Sequence, residues 1–394
     1  MSKLEKLIAE FCPKGVEYKT LGNDDYVEIA NTARQPVKAS SRIPGKIPYY
    51  GANNIQDYVD GYTHDGTFVL IAEDGSASLK NYSIQWAAGK FWANNHVHVL
   101  RGIGTLNSRF LYYCLHTVNF IPFLSGGSRA KLTKAKLIEI PIPIPCPENP
   151  EKSLEIQREI VRILDNFTEL SAELSAELKA RKKQYEYYRD QLLTFGDDVP
   201  MVSLGDTCVP TRNIRWAETD DYYKYIDLTS VSRDTHVIVE TTTINNENAP
   251  SRAQKVVEKN DVIFATTRPT LRRFALIDDE FAGQICSTGF CVLRANTKKI
   301  LPKWIYYQIS QSSYYDYMES VQKGSAYPAV SDAEVKRYKI HLPSIGEQQR
   351  IITLLDQFET LTTDITSGLP AEIAARQKQY EYYRDKLLTF EVAK

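Results

Sequence analysis

Residues 184–195 read QYEYYRDQLLTF and residues 379–390 read QYEYYRDKLLTF, with starts 195 residues apart in a chain of 394. A match this long, and this rich in tyrosine and charge, does not arise by chance. The chain is a tandem duplication. Each half must fold as a globular stretch followed by a long helix, so one molecule carries two related but diverged surfaces with helices setting their separation.

The globular stretches repeat more faintly. Val69-Leu70-Ile71-Ala72 aligns with Val262-Ile263-Phe264-Ala265, and Val99-Leu100-Arg101 with Val292-Leu293-Arg294 at the same offset. Apolar runs of this length suit buried strands. Phe110–Tyr113 aligns with Trp304–Tyr307 as the start of a helix, and Gly127-Ser128 with Gly324-Ser325. Asp65-Gly66, Asp74-Gly75 and Asn260-Asp261 punctuate the strands as turns. The fold class expected is α+β: two mixed α/β domains separated by two long helices.

Both domains leave through proline-marked extended segments, IPIPIPCPENP at 140–150 and IHLPSIG at 340–346. Proline at alternate positions excludes helix and suits an edge strand. Asn149 can then cap a helix with Pro150 at its first position, and Ser344 with Glu347 has capping-box spacing. The first helix, about 151–195, carries a stripe of Ile160, Ile163, Phe167, Leu170, Leu174, Leu178, Tyr185, Tyr188 and Leu192. At 1.5 Å per residue it spans about 65 Å, too long to bury that stripe on its own domain. The second stripe, Ile352 to Leu387, is interrupted by Ser367-Gly368-Leu369-Pro370, where a kink is expected. Antiparallel packing of the two stripes would relate the halves by a pseudo-twofold. Within the first helix, residues 169–180 read ELSA-ELSA-ELKA. Such a unit extends the helix by about 6 Å while turning its face by about 40°, which suits a length-adjustable spacer, although leucine every fourth residue is also ordinary helix composition.

Net charge is −1, with 16 Lys and Arg against 13 Asp and Glu in residues 1–150 as the one mildly basic stretch. A nucleic-acid partner would be gripped by local patches, with help from other subunits. The six cysteines form no CxxC pair, so they read as reduced thiols. No apolar run is long enough to span a membrane and no signal-peptide core precedes the first domain, so a cytoplasmic protein is expected.

Catalytic signatures are missing. Gly102-Ile103-Gly104 lacks the third glycine of a dinucleotide loop. His96 and His98 could share a strand face as metal ligands, but their repeat counterparts are Gly289 and Cys291. Ser76 and Ser78 read as turn residues. No metal and no cofactor is expected on this chain, which reads as a binding protein. Its loops hold the residue types that read base edges: arginine or lysine for guanine, asparagine for adenine, serine and threonine for positioning. In the first domain these are Tyr50, Asn53, Asn54, Asn94, Asn95, Ser128, Arg129 and Lys131. In the second they are Thr266, Arg268, Thr270, Arg272, Arg273, Thr288, Lys323, Ser325 and Tyr327. Each loop could equally be a solvated turn, except that three arginines within six residues call for a neutralising anion.

The duplicated tyrosine motif, the ELSA units, Glu347-Gln348-Gln349-Arg350 and the IPIPIP exit together make the chain resemble, over its whole length, the specificity subunit of type I restriction–modification systems. The resemblance implies target-recognition domains at 1–150 and 196–345, and helical spacers at 151–195 and 346–394. It further implies that each domain reads half of a split, asymmetric site on double-stranded DNA, with the helices fixing the gap. Two methyltransferase subunits using S-adenosylmethionine would dock on the helices, and ATP-dependent motor and nuclease subunits would complete the enzyme. Tyr187 and Tyr382, one position off the stripes, are the candidates for methyltransferase contact. The competing reading is a stand-alone bipartite DNA-binding regulator.

Overall fold

A computed structural model describes residues 3–126, 130–363 and 368–392. The chain divides into two compact units, Met1–Ala172 with Ala375–Lys394, and Glu173–Ala374.

The first unit opens with helix α1 (Lys3–Phe11) and strand β1 (Glu17–Thr20). Strands β2 (Val27–Ile29), β3 (Pro44–Gly51), β4 (Asn54–Val59), β5 (His64–Ala72), β6 (Ile84–Ala93) and β7 (Val97–Gly102) follow. They form one sheet in the order β2-β7-β5-β6-β3-β4. Its pairs are antiparallel except β3 with β6. Helices α2 (Ser108–Leu115) and α3 (Lys134–Leu137) lead to β8 (Pro141–Ile144). β8 pairs with β1 alone, which a proline-rich strand lacking amide donors can do.

Helix α4 (Pro150–Leu192) runs 43 residues, and Asn149 Oδ1 accepts from the Lys152 amide at 3.2 Å at its start. Its early face carries two residues outside the expected stripe. Ile156 and Leu164 are fully buried with Ile160 against Phe110, Leu111 and Ile142. The expectation that the stripe cannot bury on its own domain therefore fails for these first turns.

The second unit contains β9 (Met201–Ser203), β10 (Cys208–Val209), β11 (Tyr223–Ile226), β12 (Thr242–Ile244) and β13 (Ala253–Val256). Then come β14 (Val262–Ala265), β15 (Phe274–Leu276), β16 (Ile285–Ser287) and β17 (Phe290–Ala295). Two sheets result, β10-β17-β14-β15 and β12-β11-β16-β13. Helices α5 (Pro302–Gln308), α6 (Ser312–Val321) and α7 (Asp332–Arg337) precede β18 (Lys339–His341), which pairs with β9. Helix α8 (Ile345–Thr363) follows, then α9 (Leu369–Leu388), whose later part belongs to the first unit.

The repeat holds residue for residue in the central strand pair. Val69 faces Leu100 and Leu70 faces Val99 in the first unit; Val262 faces Leu293 and Ile263 faces Val292 in the second. Val69 and Leu100 sit in a core closed by α4, and Val262 and Leu293 in one closed by α8. In the first unit the start of α4 meets the end of α9, with Phe167 stacked on Tyr383 at 5.3 Å. In the second the end of α4 meets α8, with Tyr188 and Phe358 at 6.4 Å. Also in the first unit, the Val16 amide donates to Glu391 O at 2.7 Å and Val16 bridges to Val392.

α8 ends at Thr363, and Gly368 folds back on it so closely that a Cβ would lie 2.6 Å from Thr360 O. Ser367, part of the expected kink, lies outside the described residues. The expected capping box forms by half. The Glu347 amide reaches Ser344 Oγ at 3.3 Å, but the Glu347 carboxylate turns to Arg350 at 2.6 Å.

Both units fasten domain to helix by the same buried amide. Gln157 on α4 and Gln348 on α8 are each 0% exposed. Gln157 Oε1 accepts from the Asn107 amide at 2.8 Å and its Nε2 donates to Thr105 O at 2.7 Å. Gln348 Oε1 accepts from the Leu301 amide at 2.9 Å and its Nε2 donates to Lys299 O at 3.3 Å. About two turns further on, Tyr113 and Arg109 both donate to Asp165, at 2.5 and 2.8 Å. Tyr307 and Lys303 do the same to Asp356, at 2.5 and 2.7 Å. Replacing Gln157 by alanine strands a part-buried amide and a part-buried carbonyl, each costing at most about 1–3 kcal/mol. Gln157→Ala and Gln348→Ala should each lose about 2–4 kcal/mol in urea unfolding, and a loss below ~1 kcal/mol would show that the clamps do not hold the domains.

Candidate nucleic-acid interface

In each unit the central strand ends at a loop that is stitched to a second loop. After β5 in the first unit, Glu73 O accepts from the Leu132 amide at 2.7 Å, and Ser125 and Lys131 exchange backbone hydrogen bonds of 2.9 and 2.8 Å. After β14 in the second, Thr266 O accepts from the Val330 amide at 2.9 Å, and Lys323 and Ala329 exchange two bonds of 2.9 Å. This sets Ser125 opposite Lys323 in the repeat. It aligns Gly126 (φ 85°) with Gly324 (φ 94°), so the expected pairing of Gly127 with Gly324 is one residue out. Both glycines occupy the left-handed region, where a side chain is disfavoured.

The chemistry beneath the two loops differs. In the first unit Glu73 is a mostly buried hub. Arg34 Nη1 donates to it at 2.7 Å, and Lys131 Nζ lies 3.0 Å away. Burial opposes the carboxylate charge, but the Arg34 and Lys131 hydrogen bonds outweigh it and hold its pKa below the usual glutamate value. Neighbouring His98 accepts from Asn31 Nδ2 on Nδ1 at 2.9 Å and donates from Nε2 to Leu132 O at 2.7 Å. Those partners fix it as a neutral imidazole, and burial lowers its pKa. It is a structural histidine. His96 pairs with Asp74 at 2.6 Å. Among the described residues no cluster of His, Cys, Asp and Glu is placed to hold a metal ion.

The structure separates the candidate residues into two groups. In the first unit Asn53, Asn54, Asn95 and Lys131 are exposed. Asn53 also braces the neighbouring turn, donating to Gly75 O at 2.6 Å and accepting from the Ala77 amide at 2.8 Å. Tyr50 and Asn94 are corrections. Tyr50 is 8% exposed, edge-on to Phe91, and Asn94 is buried with its Oδ1 on the His96 amide. Both side chains are turned inward, so they support the surface without forming it. Ser128 and Arg129 lie outside the described residues.

In the second unit Arg268, Thr270, Arg272, Lys323, Ser325 and Tyr327 are exposed, and Thr288 is half-buried. Thr266 and Arg273 are corrections. Thr266 is buried and donates its hydroxyl to Gly289 O at 2.9 Å. The Arg273 guanidinium turns inward to Leu228 O and Val231 O. Arg268 lies over the Tyr327 ring at 4.6 Å and Arg272 over Tyr315 at 4.5 Å. Of the off-stripe tyrosines, Tyr187 is 62% exposed and Tyr382 61% exposed.

Two polar surfaces escaped the sequence reading. Lys80 and Asn81 line a recess with Asn53 and Asn54 in the first unit. Thr211, Arg212, Asn213 and Arg215 line an open groove in the second. The base-reading composition of TRNIR was a usable signal, but no counterpart in the other half marked it.

The Glu73 hub can be tested directly. A lowered folded pKa means that its contribution is complete above the unfolded value of about 4.3 and is lost as pH falls through the folded value. Glu73→Gln should therefore destabilise the protein by about 1–3 kcal/mol at pH 7. Variant and wild type should converge as pH falls below the lowered folded pKa of Glu73. Equal urea midpoints at pH 7 would remove Glu73 from this role.

The family profile described as Type I restriction modification DNA specificity domain matches residues 13–181 and 197–375. A provisionally named type I restriction enzyme specificity subunit of Haemophilus influenzae is 45% identical over 404 aligned positions, covering 98% of each chain. The EcoR124I/EcoR124II specificity subunit of Escherichia coli is 32% identical, covering 99% of this chain and 97% of its own. The crystal structure of the type I restriction-modification S subunit from M. genitalium covers 95% of this chain and 96% of its own, with TM-score 0.56 and 15% identity, and shares the fold. Among the described residues no helix is long and apolar enough to cross a membrane.

Proposed function

Because the chain belongs to the type I restriction-modification DNA specificity family, we propose that it selects a split DNA site for partner subunits that carry out the chemistry. Residues 1–150 and 196–345 would read the two halves of the site, and residues 151–195 and 346–394 would set the gap. One observation carries this reading: the same two-loop frame occurs in both units while its exposed side chains differ. An equal frame presents two readers to DNA, and unequal side chains make the site asymmetric.

The partners follow from the same duplication. Tyr187 and Tyr382 occupy equivalent helix positions and are equally exposed, which supports two like docking seats, one for each of two methyltransferase subunits. Those subunits would bind S-adenosylmethionine and modify adenine, one on each strand. ATP-dependent motor and nuclease subunits would join through the complex, in the cytoplasm.

Co-expression with the methyltransferase subunit in a methylation-free host, followed by genome-wide mapping of modified adenines, tests the reading. The expected result is one split motif with a fixed gap and one modified adenine on each strand. A chain lacking residues 171–174 is shorter by about 6 Å. At about 3.4 Å per base pair, its gap should shrink by one or two base pairs with both half-sites unchanged. Tyr187→Ala with Tyr382→Ala should reduce co-purification of the methyltransferase without lowering the thermal midpoint of the chain. No methylation, with tight and specific DNA binding by the chain alone, would point to a regulator.

A further inference from the structure

We propose that Arg268 is the side chain with which the second unit reads a guanine, and that Tyr327 holds its guanidinium for the task. The proposal rests on the DNA-reading function above and assigns a base class to one position of the half-site.

The three arginines of the 266–273 loop are not equivalent. Arg273 is committed to the carbonyls of Leu228 and Val231. Arg272 lies on Tyr315, a ring that is itself buried. Arg268 is exposed, and its guanidinium has no carboxylate partner among the described residues. It rests 4.6 Å from the centroid of Tyr327, which is 72% exposed, so the stack stands at the surface. A guanidinium resting over a ring face spends none of its N–H donors on a carboxylate, and its planar fork matches O6 and N7 of guanine in the major groove.

The backbone of Arg268 carries a second, independent indication. Arg268 has φ 49°, as Arg272 has φ 55°, in the left-handed region that residues with a Cβ adopt only at a cost, and for Arg268 the repeat supplies a comparison. Its counterpart in the first unit is Gly75, in the same conformation at φ 68°. The correspondence follows from the bridges beside them, Asp74 to Lys131 and Thr267 to Ala329. One copy of the frame meets this turn with the residue that suits it, and the other keeps an arginine there. The strained backbone is also pinned, since the Arg268 amide donates to Pro328 O at 2.6 Å, one residue beyond Tyr327. Strain of this kind persists where the surroundings over-determine it and the side chain has a task.

The test uses the complex with the methyltransferase subunit. Methylation is measured on oligonucleotides carrying each base at each position of the second half-site, at two salt concentrations. Arg268→Gly copies the residue of the first unit, so the variant should fold with a thermal midpoint no lower than wild type. Its preference should relax at one position, where wild type takes guanine, by about 5- to 150-fold, leaving the first half-site and the gap unchanged. Arg268→Lys should restore that preference only in part, because an ammonium can reach O6 and N7 of guanine but lacks the planar fork. Tyr327→Ala should weaken the same position by a smaller factor. An even loss across all sequences with a shallower salt dependence would make Arg268 a phosphate contact and overturn the proposal. So would an unchanged half-site in Arg268→Gly, or a wild-type half-site without guanine. A wild-type complex that selects no split site would overturn the function itself, and this proposal with it.

Discussion

A glutamine amide shut away from water joins each domain to its helix, and the rest of the architecture depends on that joint. Gln157 and Gln348 present one acceptor and one donor to a backbone amide and a backbone carbonyl at the entrance to α2 and α5. Apolar contact alone would let a domain slide along the helix, because burial is not directional. A pair of hydrogen bonds to main-chain atoms fixes both height and rotation. The tyrosine–carboxylate contacts at Asp165 and Asp356 repeat the constraint about two turns away, with the tyrosines as donors. The clamp takes nothing from the side chains of the loops, so those loops are free to diverge.

That freedom is visible in how the two units support one backbone frame. The first gathers Arg34, Lys131 and His98 around the Glu73 carboxylate. The second places the Thr266 hydroxyl at the equivalent position, bound to a carbonyl. Another asymmetry lies at the joint, where Glu359 of the second unit accepts from Tyr306 and Tyr307 while Thr168 stands at the first unit's position. Burial raises the pKa of Glu359, so the charged form is the disfavoured one there. The frame thus tolerates ionic, neutral and mixed solutions at matching points.

Patterns with a period or a repeat were legible in the sequence, and side-chain direction was not. The apolar runs at Val69 and Val262 gave the central strands, and the offset they share with Leu100 and Leu293 gave the correspondence between the halves, while the register came only from the pairing itself. The proline-rich exits gave strands that pair on one side only. The inward turn of Tyr50, Asn94, Thr266 and Arg273 depends on where each strand stops, and residue type does not reveal that. The Gly126-Gly127 doublet offered two registers against Gly324, and only the loop hydrogen bonds choose between them. Gln157 looked like an ordinary polar residue on a charged helix, though its partner Gln348 sat within a motif singled out for other reasons.

The bond from Val16 to Glu391 gives the polypeptide the topology of a ring. The segment after α1 lies against the segment after α9, so the path through domain, helix, domain and helix returns to where it began. On a ring, which domain comes first is a matter of where the circle is opened. A gene joined at that contact and reopened between the halves would encode the same set of contacts in rotated order. The fold itself then places no premium on which domain is synthesised first.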